Sequence, residues 1–252
     1  MSRPRTAVIT GAGSKRGIGR ETASRLAEGG WNVAILDIDG GLAEDAAKEI
    51  AERCAVRAVG IQVDVTDEAS VDAGIARVEA ELPPVEALVN IAGVTAPFRF
   101  LDITPQEWAR VFDVNVRGSY LVTHRVLPLL LREGRGRIVN MSSVSAERGG
   151  GVFGGVHYSA AKAAIQGFTR ALARELASTG ITVNAIAPGL ISTDITAGKL
   201  SPEREQEVLA SIPMHRLGNT REVASVISYL VSDDASYVTG STYDVNGGLH
   251  IH

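Results

Sequence analysis

The amino-acid sequence predicts an α/β fold in which a single doubly wound parallel sheet carries helices on both faces. Short apolar segments alternate with amphipathic helical segments along the 252 residues, and this alternation is typical of β–α–β units. The apolar segments are continuous hydrophobic runs, as expected for strands that are covered on both faces. With 45% hydrophobic residues, the chain can bury one full core, so we predict a single domain over residues 1–252.

The predicted elements follow one another without an internal repeat or linker until about residue 190. Runs of apolar and β-branched residues predict strands at 6–10, 32–37, 56–63, 85–90, 137–141, 181–187 and 241–245. Apolar residues at three- and four-residue spacing predict helices at 18–28, 41–54, 67–81, 105–131, 155–178 and 220–231. The segment 190–214 loses this rhythm, and we expect it to be a substrate-covering loop with a short helix.

Composition narrows the class of protein and of partner. A formal net charge of −4 argues against nucleic acid or an anionic membrane as a partner. Cys54 is the single cysteine, so no internal disulfide can form. The first residues lead directly into a strand without the apolar segment of a signal peptide. The five histidines show no metal-ligand spacing, so no metal is expected. We predict a soluble, cytoplasmic protein that acts on a small molecule.

The first strand–helix junction carries a glycine-rich turn, Thr10-Gly11-Ala12-Gly13-Ser14-Lys15-Arg16-Gly17-Ile18-Gly19. Small residues let the backbone approach a phosphate closely, and the next helix offers unpaired N–H groups and a positive dipole end. Glycines also form ordinary turns, but these lie about 20 residues before Asp37 at the end of the next strand, as a dinucleotide site requires. We expect Asp37 to bind an adenosine ribose and to repel a 2′-phosphate; a solvated strand-end carboxylate is the alternative.

Tyr158 and Lys162 lie four residues apart on the predicted helix 155–178, so their side chains share one face. An ammonium beside a phenol favours the phenolate and lowers the phenol pKa from its usual value of about 10. The pair could then exchange a proton with a substrate hydroxyl near pH 7. An isolated Tyr-x-x-x-Lys is more often a half-buried tyrosine beside a lysine that reaches solvent, so the other motifs decide between the two readings.

Together these motifs resemble the short-chain dehydrogenase/reductase family over essentially the whole chain. The family's glycine motif, TGxxxGxG, matches Thr10-Gly11 and Gly17-Ile18-Gly19, with five residues between the two parts instead of three. The further matches, in order, are Asp64-Val65, Asn90-Ile91-Ala92-Gly93, Pro188-Gly189 followed by Thr193, Arg216 with Gly218, Glu222-Val223-Ala224, and Asp244-Val245-Asn246-Gly247-Gly248. Ile91 departs from the family pattern, which has a second Asn there.

The resemblance implies a Rossmann fold and a catalytic set of Asn115, Ser143, Tyr158 and Lys162. Tyr158 would exchange the proton with the substrate oxygen, and Lys162 would lower the phenol pKa and bind the nicotinamide ribose. Ser143, with its neighbour Ser142 as the alternative, would hydrogen-bond the same oxygen, and Asn115 would hold a water of the proton relay. The implied cofactor contacts are Gly11, Ser14, Arg16, Gly17, Ile18, Asp37, Asp64, Val65, Asn90, Ala92, Gly93, Tyr158, Lys162, Pro188, Gly189, Ile191 and Thr193.

We therefore expect hydride transfer between NAD(H) and a secondary alcohol or ketone, with a polyol, sugar-derived or hydroxy-acid-like substrate. NADP is possible, and the alternative function is an NADPH-dependent 3-oxoacyl-thioester (acyl-carrier-protein) reductase in which Lys15 and Arg16 hold the 2′-phosphate. A binding module would be expected to lack one catalytic residue, and a nucleotide-sugar epimerase or dehydratase would usually need a longer substrate domain.

The substrate walls are expected at 94–100, 145–157 and 190–214. These segments mix aromatic residues with Arg99, Arg148, His157 and Lys199, so an apolar and an anionic substrate both remain open. His157 could contact the substrate or occupy an edge position on its helix. The resemblance also implies a homotetramer or homodimer in which the helices 105–131 and 155–178 pair across a two-fold axis.

Overall fold

A seven-stranded parallel sheet forms the centre of the computed structural model, which describes residues 3–194 and 201–251. The strand order is β3-β2-β1-β4-β5-β6-β7, and every neighbouring pair is parallel. This arrangement confirms the predicted fold class. The strands are β1 (Thr6–Thr10), β2 (Asn32–Asp37), β3 (Ala58–Gln62), β4 (Val85–Asn90), β5 (Gly136–Met141), β6 (Ile181–Pro188) and β7 (Thr242–Val245).

Helices cover both faces of the sheet. On one face α1, α2 and α9 pack against side chains such as Ile9 and Ile35, and on the other α3, α5 and α7 pack against residues such as Leu36 and Leu88. Strands buried on both faces explain the continuous apolar runs in the sequence. The helices are α1 (Ile18–Glu28), α2 (Gly40–Arg53), α3 (Glu68–Glu81), α4 (Pro105–Phe112), α5 (Gly118–Glu133), α6 (Ser145–Arg148), α7 (Val156–Leu176), α8 (Pro202–Ala210) and α9 (Thr220–Val231).

The strand order reverses between β1 and β4, and this reversal opens a crevice at the carboxyl ends of the two strands. Thr10, the last residue of β1, fixes the width of the crevice. Its Oγ1 accepts hydrogen bonds from the backbone N–H groups of Ile91 (3.0 Å) and Ala92 (3.1 Å) just beyond β4. The segments that follow the two strands are therefore held at a fixed separation.

The predicted single helix 105–131 is wrong, because a π-helical turn at Asp113–Arg117 separates α4 from α5. Asn115 lies in this turn, and its Nδ2 donates to the carbonyl oxygens of Val111 (2.8 Å) and Val94 (2.9 Å). The Asn115 side chain thus uses the Val111 carbonyl of the preceding helical turn as an acceptor. The Gly118 N–H donates to the carbonyl oxygen of Asp113, five residues back, as in a π-helix. Such single π-turns interrupt α-helices and often occur at functional sites.

The remaining differences from the predicted elements are smaller. The strand predicted at 56–63 is shorter in the structure (Ala58–Gln62), and α7 ends at Leu176 in a 3-10 turn, Ala177–Thr179. Within 190–214, a β-bridge joins Ile191 to Gly218, and α8 is the predicted short helix. The rest of that prediction, residues 195–200, lies outside the described residues. In the described parts of the chain, no helix has both the length and the apolar character needed to cross a membrane.

Candidate functional site

A cavity of about 920 Å³ lies along the carboxyl ends of β1 to β6. Every predicted site residue except Arg16 and Asn90 contributes to its wall. Those in the wall are Gly11, Ser14, Gly17, Ile18, Asp37, Asp64, Val65, Ala92, Gly93, Asn115, Ser143, Tyr158, Lys162, Pro188, Gly189, Ile191 and Thr193. The predicted catalytic four and most of the predicted cofactor contacts therefore share one cavity.

The glycine-rich turn packs so closely against neighbouring backbone that side chains would not fit at two of its glycines. Gly11 has φ +65°, and a Cβ there would lie 2.7 Å from Ala92 Cα. A Cβ on Gly19 would lie 2.3 Å from the carbonyl oxygen of Gly11. Helix α1 begins just after Gly17, which provides no side-chain cap for the first N–H groups of the helix. An uncapped helix N-terminus beside a small-residue turn is a suitable place for a phosphate group.

Asp37 is held at the cavity wall by backbone hydrogen bonds to both carboxylate oxygens. Its Oδ2 accepts from the Gly13 N–H (2.8 Å), and its Oδ1 accepts from the Asp39 N–H (3.1 Å). A carboxylate held in this way has little freedom to turn away from a ligand. Its position at the end of β2, beside the glycine turn, is the one that the sequence predicted for the residue facing an adenosine ribose.

Arg16 and Lys15 both have exposed side chains and stand outside the cavity wall. The guanidinium of Arg16 pairs with Asp194, with 3.7 Å between Nε and Oδ1. Of Ser14, Lys15 and Arg16, only Ser14 lines the cavity. The structure therefore does not bring Arg16 to the place predicted for a cofactor contact, because Asp194 holds it at the rim.

The Asn90 side chain lies in a buried hydrogen-bond network beneath the cavity. Its Nδ2 donates to Thr123 Oγ1 (2.9 Å) and Asn140 Oδ1 (2.9 Å), and Asn140 Nδ2 donates to Thr169 Oγ1 (3.0 Å). All four side chains are buried, so this network joins β4 and β5 to α5 and α7 beneath the cavity. Asn140, Thr123 and Thr169 were not among the residues predicted from the sequence. The available signal was the pair of asparagines near the ends of adjacent strands, which lie directly opposite each other.

Ser143, and not its neighbour Ser142, faces Tyr158. The hydroxyl of Ser143 hydrogen-bonds to the phenol of Tyr158 and accepts a hydrogen bond from the backbone N–H of Ser145 (3.1 Å). Ser142 instead directs its hydroxyl to the backbone, where it donates to the carbonyl oxygen of Lys162 (3.0 Å). The structure thus separates the two serines by role: Ser143 stands beside the predicted proton donor, and Ser142 fixes α7 against β5.

Burial shifts the pKa values of Tyr158 and Lys162 in opposite directions. It raises the pKa of Tyr158, and the hydrogen bond from Ser143 opposes this only in part. It lowers the pKa of Lys162 to about 8. Lys162 does not lower the Tyr158 pKa as the spacing predicted, since Nζ lies 5.6 Å from the ring centroid and desolvation dominates the pKa shifts of both groups. Each group is pushed toward its neutral form.

Lys162 and Asn115 present polar groups on either side of Gly93. Lys162 Nζ donates to the carbonyl oxygen of Met141 (2.8 Å), and Asn115 Oδ1 is a buried acceptor without a hydrogen-bond partner among the described residues. A Cβ on Gly93 would lie 2.6 Å from Asn115 Oδ1 and 3.4 Å from Lys162 Nζ. Glycine therefore leaves room between an acceptor and a donor, and a buried acceptor of this kind can receive a ligand or water hydroxyl.

His157 is fully buried and does not line the cavity, so the suggested substrate contact is not seen. Its Nε2 lies 3.7 Å from Glu107 Oε1 on α4. Glu107 is also bound by Arg110, whose hydrogen bond is the main reason that the pKa of this carboxyl is lowered. His157 therefore packs α7 against α4 behind the site.

The substrate walls agree only in part with those predicted. Val94, Thr95 and Phe153 line the cavity, whereas Phe98 and Phe100 are exposed and stand outside it. The arginines of the wall are Arg110, Arg148 and Arg204. Two of them are paired, Arg110 with Glu107 and Arg204 with Glu207. Of the basic residues considered from the sequence, Arg148 thus reaches the wall, while Lys199 lies outside the described residues.

The donors and acceptors of the cavity fit a nicotinamide dinucleotide. An uncapped helix start can bind phosphates, a fixed carboxylate can accept from ribose hydroxyls, and a buried lysine can donate at the opposite end. Gly93 leaves space beside Asn115 and Lys162, and Gly11 and Gly19 let the turn pack closely against neighbouring backbone. The chemical set needed to hold the cofactor is therefore present.

Comparison with known proteins agrees with this chemistry. A family model described as enoyl-(acyl carrier protein) reductase matches residues 11–250. A short-chain type dehydrogenase/reductase of Sinorhizobium fredii is 46% identical over 98% of each chain, and a 3-oxoacyl-[acyl-carrier-protein] reductase of Aquifex aeolicus is 41% identical over 94% of each. The crystal structure of a 3-oxoacyl-[acyl-carrier protein] reductase from Brucella melitensis superposes with a TM-score of 0.91 at 38% identity, covering 98% of this chain and 92% of the other. With this fold, this cavity and these relatives, the chain belongs to the short-chain dehydrogenase/reductase family of oxidoreductases.

Proposed function

We propose that the protein transfers a hydride between NAD(H) and a secondary alcohol or ketone, with Tyr158, Ser143, Lys162 and Asn115 as the catalytic set. The observation that carries this proposal is that the four side chains line one cavity whose wall also holds Asp37. The nicotinamide ring, when bound, supplies or accepts the hydride. The protein contributes position and proton transfer.

The chain's own residues account for the proton movement. Tyr158 is the proton donor to a carbonyl oxygen and the proton acceptor from a hydroxyl, because its phenol stands in the cavity beside Ser143. Ser143 donates a hydrogen bond to the same oxygen and stabilises the negative charge that develops there. Lys162 and the acceptor of Asn115 hold hydroxyl groups on the side of Gly93. A proton leaving Tyr158 can then be replaced through these groups.

The fixed carboxylate of Asp37 supports NAD as the cofactor. It accepts two backbone hydrogen bonds at the cavity wall, whereas the two cations that could favour NADP are exposed and outside that wall. A 2′-phosphate beside Asp37 would face an unpaired like charge. The ribose hydroxyls of NAD would instead donate to that carboxylate.

We expect wild-type protein to prefer NAD over NADP by about 100-fold in kcat/KM, equivalent to about 2.7 kcal/mol for an unpaired charge conflict at a partly exposed site. Asp37→Ser should reduce that preference, mainly by improving kcat/KM for NADP, because it removes the conflict and keeps a hydroxyl that can accept from the Gly13 N–H. Initial rates of both proteins with both cofactors give the measurement.

Asp39→Ser is the matched control, since Asp39 is an exposed carboxylate two residues away that caps α2 and does not line the cavity. It should leave the cofactor preference unchanged. Faster turnover of the wild-type protein with NADP than with NAD would contradict the assignment of Asp37.

A 3-oxoacyl-thioester reductase that uses NADPH is the second candidate function. The observation in its favour is that relatives 38–41% identical to this chain carry the name 3-oxoacyl-[acyl-carrier-protein] reductase. The catalytic set would be the same, and only the cofactor and substrate would differ. Rates for a panel of secondary alcohols with NAD, set against rates for a 3-oxoacyl thioester with NADPH, separate the two functions. A higher kcat/KM for the thioester would favour the second.

We also propose that the protein is a homotetramer or homodimer. Tyr120 and Leu131 on α5 are exposed large hydrophobic residues, at 49% and 44%, on one of the helices expected to pair across a two-fold axis. Light scattering of wild-type protein should give a multiple of 26.5 kDa. Tyr120→Asp should shift the protein toward the monomer, because an unpaired charge would be buried, whereas Tyr237→Asp, at a fully exposed tyrosine, should not. A wild-type monomer at micromolar concentration would contradict the proposal.

A further inference from the structure

Asp194 joins two segments that are 180 residues apart in the sequence and face each other across the rim of the cavity. Its Oδ2 accepts a hydrogen bond from the Ser14 hydroxyl (2.7 Å) and another from the Arg16 backbone N–H (3.3 Å). Its Oδ1 lies 3.7 Å from Arg16 Nε. We call these three contacts the Asp194 clasp.

The clasp uses the part of the glycine turn in which this chain is longer than the family motif. Five residues separate Thr10-Gly11 from Gly17, where the family motif has three. Ser14 and Arg16 belong to this longer turn, and their donors point toward one carboxylate. Lys15, between them, is exposed and forms no ion pair among the described residues. The lengthened turn therefore presents a docking point for Asp194.

Both sides of the clasp carry cavity-lining residues. Ser14, Gly17 and Ile18 line the cavity from the turn, and Ile191 and Thr193 line it from the segment that precedes Asp194. A dinucleotide bound at the start of α1 would lie next to this contact. A ligand that leaves over this part of the rim would first have to separate the turn from the segment.

We propose that Asp194 is a positioning residue that fastens residues 190–194 to the lengthened glycine turn and thereby slows the release of the dinucleotide. The proposal rests on the proposed function, because it takes the dinucleotide to bind in this cavity. It also gives Arg16 a different role from the one considered from the sequence. Its charge is committed to Asp194, so it is not available to bind the 2′-phosphate of NADP.

The clasp is partly exposed, with half of the Asp194 side chain and 56% of the Arg16 side chain open to solvent, so its effect should be moderate. Asp194→Ala, which removes all three contacts, should increase the dissociation rate of NADH about fivefold, a size at the upper end for exposed charge pairs. Arg16→Ala removes only the charge pair and keeps the two hydrogen bonds to Asp194, so it should increase the rate less. The double variant should release NADH no faster than Asp194→Ala alone, because the two residues act on one contact. Stopped-flow fluorescence of NADH displacement measures these rates.

Lys15→Ala is the matched control, since it removes the adjacent cation of the same turn without touching the clasp. It should leave the dissociation rate within experimental error of wild type. Tighter NADH binding by Asp194→Ala would overturn the proposal, because the carboxylate would then compete with the cofactor phosphates. A loss of NADP binding alone on Arg16→Ala would also overturn it, because the guanidinium would then read the 2′-phosphate.

A second measurement needs no cofactor. The Arg16 N–H donates to Asp194, so Asp194→Ala should accelerate amide hydrogen exchange in the turn around residues 14–17 in the cofactor-free protein, and Lys15→Ala should not. Unchanged exchange would mean that the clasp does not form in solution. If wild-type protein fails to bind NADH while this exchange difference is present, the proposed function fails and the clasp remains as a structural contact.

Discussion

Tyr158→Phe is expected to lower kcat by about 1,000-fold, within the range typical of general acid–base catalysis and equivalent to about 4 kcal/mol of barrier. The variant loses only the phenolic oxygen, and Phe retains the packing of the half-buried ring. Ser143 keeps its hydrogen bond from the Ser145 N–H, so the local backbone should not move. Steady-state rates together with NADH titration measure the two effects separately, and NADH affinity should stay within about threefold of wild type.

Tyr237→Phe is the matched control, because it removes the same atom from a tyrosine that is fully exposed. It should have no effect on rate or binding. If Tyr158→Phe keeps turnover within about tenfold of wild type, a difference of only about 1.4 kcal/mol, Tyr158 is not the proton-transfer group. A similar loss in NADH affinity and in kcat would instead point to a disturbed site.

The layers of the fold could be predicted because they depend on hydrophobic patterns that extend over whole segments of the sequence. Continuous apolar runs and helical periodicity each extend over many residues, and a parallel sheet is almost the only structure that satisfies both. The break at Asp113–Arg117 could not be predicted in this way, because it depends on one amide, Asn115, that binds a carbonyl from a distant loop at Val94. Periodicity carries no information about such a contact.

Two of the residues predicted for the site were chosen by their position along a strand, which decides what a side chain faces. Asp37 and Ser143 come at or just after strand ends, and the structure places both in the cavity wall. Asn90 is also a strand-end residue, yet it points into the network with Asn140 beneath the site. Because side chains alternate between the two faces of a sheet, a shift of one residue along a strand decides whether a side chain faces the cavity or the protein interior. Asp194 was missed because its partners lie 180 residues away in the sequence.

The direction of the pKa shifts of Tyr158 and Lys162 could not be predicted from their spacing in the sequence. Four residues along a helix brings the two side chains to one face, but the sign of the shift depends on how much water each group loses. In the structure Lys162 is buried with a backbone carbonyl as its hydrogen-bond acceptor, and no carboxylate is among its described hydrogen-bond or ion-pair partners. Its positive charge is therefore costly to the folded protein.

Lys162→Met is expected to abolish most activity and at the same time to stabilise the fold near neutral pH. A pKa of about 8 in the folded protein, against 10.5 for an ordinary lysine, means that burial of the charged form costs roughly 3 kcal/mol. The variant also loses the hydrogen bond to Met141 O, which should destabilise it by about 1 kcal/mol. The free energy of unfolding should therefore rise by about 2 kcal/mol at pH 7. Urea unfolding of both proteins gives this difference.

The gain from Lys162→Met should depend on pH with a definite sign. Below a pH of about 8 the wild-type lysine is charged in both states, and its burial destabilises the fold fully. Between about 8 and 10.5 the unfolded chain binds more protons than the folded one, so wild-type stability rises with pH and the advantage of the variant shrinks. Lys15→Met, at an exposed lysine of the glycine turn, should show no such dependence. A variant that is less stable than wild type at pH 7 and shows no pH-dependent difference would mean that Lys162 carries no desolvation cost. A variant that keeps full turnover and NADH affinity would remove Lys162 from the catalytic set.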